Sequence, residues 1–163
     1  MEKFTGKVWL LGDDIDTDII MPTEYLVFKT IEEMKPYAFS PLRPELAAQI
    51  RPGDIIVAGS NLGCGSSREQ APEVVKALGL RCVIAKSFAR IFFRNAINNG
   101  LLLIENADLA DFVKEGEEIT VTVNEKIECR GKEFPIVSLP DNLVEIINAG
   151  GLVKAMRKRN GLD

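Results

Sequence analysis

Residues 55 to 104 place three short apolar runs, Ile55-Ile56-Val57-Ala58, Cys82-Val83-Ile84-Ala85 and Leu101-Leu102-Leu103-Ile104, around two helical stretches. The first stretch runs from about Glu69 to Leu78 and is closed by Gly79; the second runs from Phe88 to Asn99 and is closed by Gly100. Glycine suits these closing positions because it takes the left-handed conformation at little cost. Four consecutive apolar residues without alternation suit strands covered on both faces. Strand, helix, strand, helix, strand at this spacing calls for crossover connections and a parallel sheet. The predicted fold class is α/β, with a mainly parallel sheet flanked by helices.

The flanking segments add to this frame. Residues 4 to 11, with Val8-Trp9-Leu10-Leu11, read as a first strand ended by the acidic turn Gly12-Asp13-Asp14-Ile15-Asp16. Prolines 22, 36, 41, 44 and 52 predict a long excursion over residues 22 to 53, with short helices near 31 to 35 and 44 to 50. A helix is expected at 107 to 113. Glu118-Ile119-Thr120-Val121-Thr122-Val123 then alternates with period two, and residues 126 to 130 and 133 to 137 flank a turn at Gly131-Lys132, which reads as a small antiparallel sheet. A helix at 140 to 149 is broken by Gly150-Gly151 and followed by another, whose Lys154, Arg157, Lys158 and Arg159 suit a helix C-terminus. The sequence contains no repeat or linker, so residues 1 to 163 are expected to form one domain.

What the chain lacks narrows its chemistry. It has no histidine, so histidine triads and histidine metal centres are excluded. Cys64, Cys82 and Cys129 are odd in number and widely spaced, which fits neither a disulfide framework nor a zinc site, and three thiols do not complete a four-thiolate cluster cradle; Cys129 is expected on an exposed hairpin. No metal site is expected in this chain. A net charge of −4 gives no global electrostatic reason to bind nucleic acid or an anionic membrane. Without an apolar run near the roughly 20 residues of a membrane helix, and without a signal peptide's order at Met1-Glu2-Lys3, the expected location is cytoplasmic.

The loop Gly59-Ser60-Asn61-Leu62-Gly63-Cys64-Gly65-Ser66-Ser67-Arg68 carries three glycines between a buried strand and a helix. Glycines admit positive φ and close approach of a ligand, and a helix start offers free N–H groups, so Ser66, Ser67 and Arg68 make a candidate carboxylate or phosphate site. Ser66-Ser67-Arg68-Glu69 also fits a capping box, which is commonplace without function. Nucleotide motifs fit worse: there is no phosphate-binding Lys, and the last glycine of the dinucleotide fingerprint is missing. Cys64 has no histidine to activate it and reads as a small semi-buried residue. Arg90 and Arg94, four apart on a helix, suit surface or interface pairing.

Gly65-Ser66-Ser67-Arg68-Glu69, preceded by Gly59-Ser60-Asn61-Leu62-Gly63-Cys64, resembles the swivelling domain of aconitase-family enzymes. Asp16-Thr17-Asp18-Ile19-Ile20-Met21-Pro22 is similar to that family's Thr-Asp motif, and Lys86-Ser87-Phe88-Ala89-Arg90-Ile91-Phe92-Phe93-Arg94-Asn95 to its next block. The blocks span residues 16 to 100 in order, and their combination is far more specific than any one alone. The resemblance implies a swivelling β/β/α domain with a smaller added β element. It also implies a stand-alone small subunit whose large-subunit partner carries a four-iron, four-sulfur cluster, with a small dicarboxylate as substrate. A homo-oligomer of the isolated chain is compatible with the sequence without being specified by it.

By the same resemblance, Ser66 is the base that removes a proton from the carbon beside a substrate carboxylate, while the partner's iron accepts the leaving hydroxyl. Its alkoxide would need helix N–H groups, the helix dipole and Arg68. Ser67 adds a hydrogen bond, Arg68 clamps a substrate carboxylate, and Asp18 orients the reacting centre or a basic group of the partner. Asp13, Asp14 and Asp16 read as solvated turn carboxylates. Tyr25-Leu26-Val27-Phe28-Lys29-Thr30 resembles the family's recognition loop, in which an apolar residue after Tyr-Leu goes with an isopropyl group; Val27 therefore points to isopropylmalate. Lys29 departs from that pattern by adding a residue before Thr30, and its ammonium could meet the extra carboxylate of a homoaconitate-like substrate.

Overall fold

A computed structural model of the protein describes residues 2–161. Seven strands form one sheet in the order β4-β3-β2-β1-β5-β6-β7. The strands are β1 (Lys3–Leu10), β2 (Ile55–Ala58), β3 (Cys82–Ala85), β4 (Leu103–Glu105), β5 (Glu118–Thr122), β6 (Lys126–Cys129) and β7 (Lys132–Pro135). Pairings β1–β2, β2–β3 and β3–β4 are parallel, as the crossover pattern requires. Pairings β1–β5, β5–β6 and β6–β7 are antiparallel. The added β element expected from the period-two segment is thus not a separate sheet. Its strand β5 pairs along the early residues of β1, Lys3 to Lys7, while β2 pairs along the later ones, Val8 to Leu10.

The helices are α1 (Thr17–Ile20), α2 (Ile31–Met34), α3 (Leu46–Gln49), α4 (Gln70–Ala77), α5 (Arg90–Asn98), α6 (Leu109–Phe112), α7 (Asp141–Ala149) and α8 (Leu152–Arg159). All four residues of β2 and of β3 are buried, as expected of strands covered on both faces. The pleat sends Ile56, Ala58, Val83 and Ala85 into one core and Ile55, Val57, Cys82 and Ile84 into another. The first core lies under α1 to α5, with Ile20, Met34, Leu46, Val74, Val75, Phe92 and Ile97. The second is closed by Leu109 of α6 and by Ile119, Val121, Ile127, Cys129 and Phe134, so the antiparallel half curls over the other face.

Cys129 therefore contradicts its expected place on an exposed hairpin: it is 1% exposed, because its position in β6 faces the second core. The turn itself lies at Arg130-Gly131, both with positive φ (49° and 78°), as a two-residue hairpin connection requires. Buried Asn106 ties α6 to β7, accepting from the Asp108 and Leu109 N–H groups (2.9 and 2.8 Å) and donating to the Pro135 carbonyl (2.7 Å). No helix among the described residues is long and apolar enough to cross a membrane.

Candidate active site

The loops that leave β1, β2 and β3 gather at one end of the parallel half, outside the carboxyl ends of its strands, where open α/β sheets bind ligands. They are sewn together by backbone bonds. Gly59 N–H donates to Gly12 O (3.0 Å), Asp14 N–H to Ser60 O (2.8 Å), Gly63 N–H to Ile15 O (2.7 Å) and Thr17 N–H to Cys64 O (2.9 Å). On the other side, Leu62 N–H donates to Ser87 O (3.1 Å) and Ala89 N–H to Leu62 O (2.9 Å). The acidic turn is exposed at Asp13 and Asp14, as expected of a solvated turn, yet its carboxylates hold the neighbouring loop. Asp13 accepts from Ser60 N–H (2.7 Å), Asp14 from the Asn61 side chain (3.1 Å), and Asp16 caps α1 through Ile19 N–H (2.9 Å). Gly63 has φ 89°, and a Cβ there would strike the Phe92 ring, so α5 can approach the loop only if this residue is glycine.

The result is a cleft of about 410 Å³ with two walls. One wall holds Thr17, Ser66, Ser67 and Arg68; the other holds the first turn of α5, Arg90 to Phe92, with Arg94. Ser66 and Ser67 are exposed to it. Thr17, buried beneath them, donates its hydroxyl to the Ser66 carbonyl (2.9 Å) and lies 3.3 Å from the Ser66 Oγ. Because Thr17 has only one hydroxyl proton and it is committed, Ser66 is the donor in that longer contact.

The capping-box expectation fails. Helix α4 begins at Gln70, its cap position is Glu69, and no side chain caps it. The chain first makes a turn in which Arg68 N–H donates to Ser66 O (2.9 Å), which moves the helix start three to four residues past the serine. Pro72 in the first turn of α4 removes one of the donors a ligand would need. The helix end that opens on the cleft is that of α5, also uncapped by any side chain.

Arg68 is fixed from one side. Its NH1 group donates to Asp18 and to the Met21 carbonyl (2.9 Å), and its NH2 group to the Thr23 hydroxyl (3.2 Å). Of five guanidinium N–H groups, three are used, leaving two for a ligand. Asp18 is 64% exposed and reaches no part of the cleft except through Arg68. Thr23 opens the helical turn Thr23–Val27, so Arg68 also anchors the segment that carries Val27. Tyr25 and Phe28 stack on Tyr37 (centroids 4.1 and 5.6 Å), and Leu26 packs against the first core. Val27 points the other way, 80% exposed, and does not line the Ser66 cleft. Lys29 is exposed, and Thr30 caps α2 by accepting from Glu33 N–H (3.2 Å).

Cys64 sits beside the site, semi-buried as expected; burial, then the nearby Asp16 and Asp14, raise its pKa, so it stays a thiol. Burial pushes Cys82 up to about 12 and also raises Cys129. Cys82 and Cys129 lie in the second core, away from Cys64, and no three Cys, Asp or Glu side chains come together as a metal set among the described residues. The residues present do not fit an iron-sulfur cluster. Sequence reasoning missed Thr17, Thr23 and Tyr37. Thr17 lay within a quoted motif, whereas Thr23 meets Arg68 from far along the chain and Tyr37 meets Tyr25 and Phe28 only through the fold of the proline-rich excursion.

The sequence profile described as the Aconitase C-terminal domain matches residues 32–109, which include Ser66, Ser67 and Arg68. The 3-isopropylmalate dehydratase small subunit of Lachnospira eligens is 80% identical over 162 residues, covering 99% of each chain. The chain belongs to the 3-isopropylmalate dehydratase small-subunit family. Another member, small subunit 1 from Archaeoglobus fulgidus, is 49% identical over 94% of this chain and 99% of its own. The crystal structure of a 3-isopropylmalate dehydratase from Methanocaldococcus jannaschii superposes with a TM-score of 0.93 at 38% identity, covering 99% of this chain and 97% of that one. The α/β fold with its joined antiparallel half is thus the fold of the family.

Proposed function

We infer that the chain is the small subunit of a 3-isopropylmalate dehydratase, which interconverts 2-isopropylmalate and 3-isopropylmalate by dehydration and rehydration in leucine biosynthesis. The observation that carries this reading is the cleft in which Ser66, Ser67 and a pre-positioned Arg68 converge, in a chain 80% identical to a named small subunit. A large subunit would complete the enzyme and hold the four-iron, four-sulfur cluster, which would supply Lewis-acid chemistry at the leaving hydroxyl. The chain alone then has negligible turnover, and its place is the cytoplasm.

Within this chain, the two free N–H groups of Arg68 grip one substrate carboxylate, while Asp18, the Met21 carbonyl and Thr23 hold the guanidinium in place. Ser66 acts as the alkoxide left when its hydroxyl proton passes to solvent before the site closes. It takes the proton from the carbon beside that carboxylate and becomes a hydroxyl again, the freed electron pair forms the C=C bond as the substrate hydroxyl leaves, and Ser67 adds a hydrogen bond. The helix start that opens on the same cleft as Ser66 is that of α5 rather than that of α4, so the α5 N–H groups and Arg68 stabilise its oxyanion. Thr17 fixes the Ser66 backbone from below. Val27, exposed on the segment that Arg68 anchors, is the apolar residue assigned to the isopropyl group, which it meets where the large subunit covers that segment.

The test is hydration of isopropylmaleate and of homoaconitate by the chain mixed anaerobically with a cluster-loaded large subunit. Turnover of isopropylmaleate alone is expected. Turnover of both would bring Lys29 into specificity, and no turnover by a formed complex with an intact cluster would defeat the assignment.

A further inference from the structure

We propose that Arg90 and Arg94 hold the second carboxylate of the dicarboxylate substrate, across the cleft from Arg68. The inference rests on the function proposed above, which fixes the ligand as a dianion. The positive charge of Arg68 is already matched by Asp18, so one arginine on that wall does not neutralise two carboxylates. The opposite wall holds the surplus. Arg90 and Arg94 stand four residues apart on α5, which puts both guanidinium groups on one helix face, and both line the cleft with Ser66.

Neither arginine makes an ion pair or a side-chain hydrogen bond among the described residues, although most arginines of the chain do. Glu105 borders the adjoining apolar pocket with them but pairs with neither. Like charges four apart on a helix are mildly destabilising on their own. An anion beside them removes that cost, and a dicarboxylate with one end on Arg68 and the other on this pair spans the cleft. Exposed Ile91, between them in sequence, gives that wall an apolar element for the substrate's carbon chain.

The experiment uses the full chain assembled with its large subunit, carrying Arg90→Gln, Arg94→Gln or Arg94→Lys. Steady-state hydration of isopropylmaleate and the subunit dissociation constant are measured on the same samples. Each Gln variant is expected to raise KM about tenfold to a hundredfold, the size of one lost charge-assisted contact. The corresponding change in kcat is expected to stay within about threefold, with Lys recovering part of the loss and subunit affinity unchanged. Unchanged KM overturns the proposal. So does weakened subunit association with normal KM at saturating large subunit, which assigns the pair to the interface. Failure of the wild-type complex to hydrate isopropylmaleate instead sinks the function reading, and this inference with it.

Discussion

The two halves of the sheet meet at β1 yet are built on different terms. Strands β2 and β3 of the parallel half are buried on both faces, and their crossover connections return the chain so that successive loops open at one end. Those loops hold Thr17, Ser66 to Arg68 and Arg90. Strand β6 of the antiparallel half alternates between half-buried and buried residues, β7 buries Phe134 alone, and the two are joined by a two-residue turn, so their connection has no room for a site. Topology, more than composition, decides where chemistry can be placed: parallel strands concentrate their loops, and hairpins divide them between two ends. The antiparallel half contributes stability by covering the second core.

This division predicts that substitutions in the two halves separate activity from stability. The largest effect belongs to Ser66→Ala. In the assembled enzyme kcat should fall about 10²- to 10⁴-fold, the usual worth of a positioned proton-transfer group, with the melting temperature unchanged. Ile127→Ala in the other half should do the reverse. It empties a fully buried position of β6 and should cost about 2 to 5 kcal/mol in denaturant unfolding, while kcat per assembled enzyme stays at the wild-type level. A loss of kcat in that variant at full assembly would break the comparison.

Gly63→Ala should affect both quantities, because the added methyl strikes Phe92 and the backbone there is left-handed. A loss of about 1 to 3 kcal/mol is expected, with weaker substrate binding as α5 is displaced. Thr17→Val removes a buried hydroxyl that bonds the Ser66 carbonyl; about 1 kcal/mol of stability and about a tenfold loss of kcat are expected. The smallest effect concerns pH. The Arg43 guanidinium, with the Leu10 N–H, holds the Glu115 carboxyl below the usual carboxylate range. Its contribution is fully present above the ordinary carboxylate pKa and is lost as pH falls through the lowered folded value. Glu115→Gln should therefore lower stability at pH 7 by less than about 1 kcal/mol, since the pair is partly solvated, and the two proteins should converge in strongly acid solution.

Much of this was legible in the residues. The runs at 55 to 58 and 82 to 85 lack alternation because both faces are covered, and the period-two segment at 118 to 123 alternates because Ile119 and Val121 face the second core while Glu118 and Thr120 reach water, so both halves could be read locally. Their junction could not, since the pairing of β5 with β1 joins residues more than a hundred positions apart. The site was readable as a motif but not as geometry. The Ser-x-x-Glu pattern suggests a cap at Ser66, yet Thr17 and Cys64, contacts between distant residues, draw the loop down and postpone the helix. Cys129 was misplaced for a related reason: a hairpin strand looks exposed until the curl of the sheet lays it on the second core. Arg90 and Arg94 read as surface charges because a helical pattern does not reveal that the helix begins in a cleft.

The most direct test of the central claim is exchange of the substrate's carbon-bound hydrogen with solvent deuterium, followed by NMR on isopropylmalate bound to the assembled enzyme. The wild-type enzyme should exchange that hydrogen at or above its rate of turnover, and the Ser66→Ala enzyme, with intact cluster and normal subunit assembly, should lose the exchange together with turnover. Exchange at the wild-type rate in the Ser66→Ala enzyme would show that another group removes the proton and would contradict the role of this cleft.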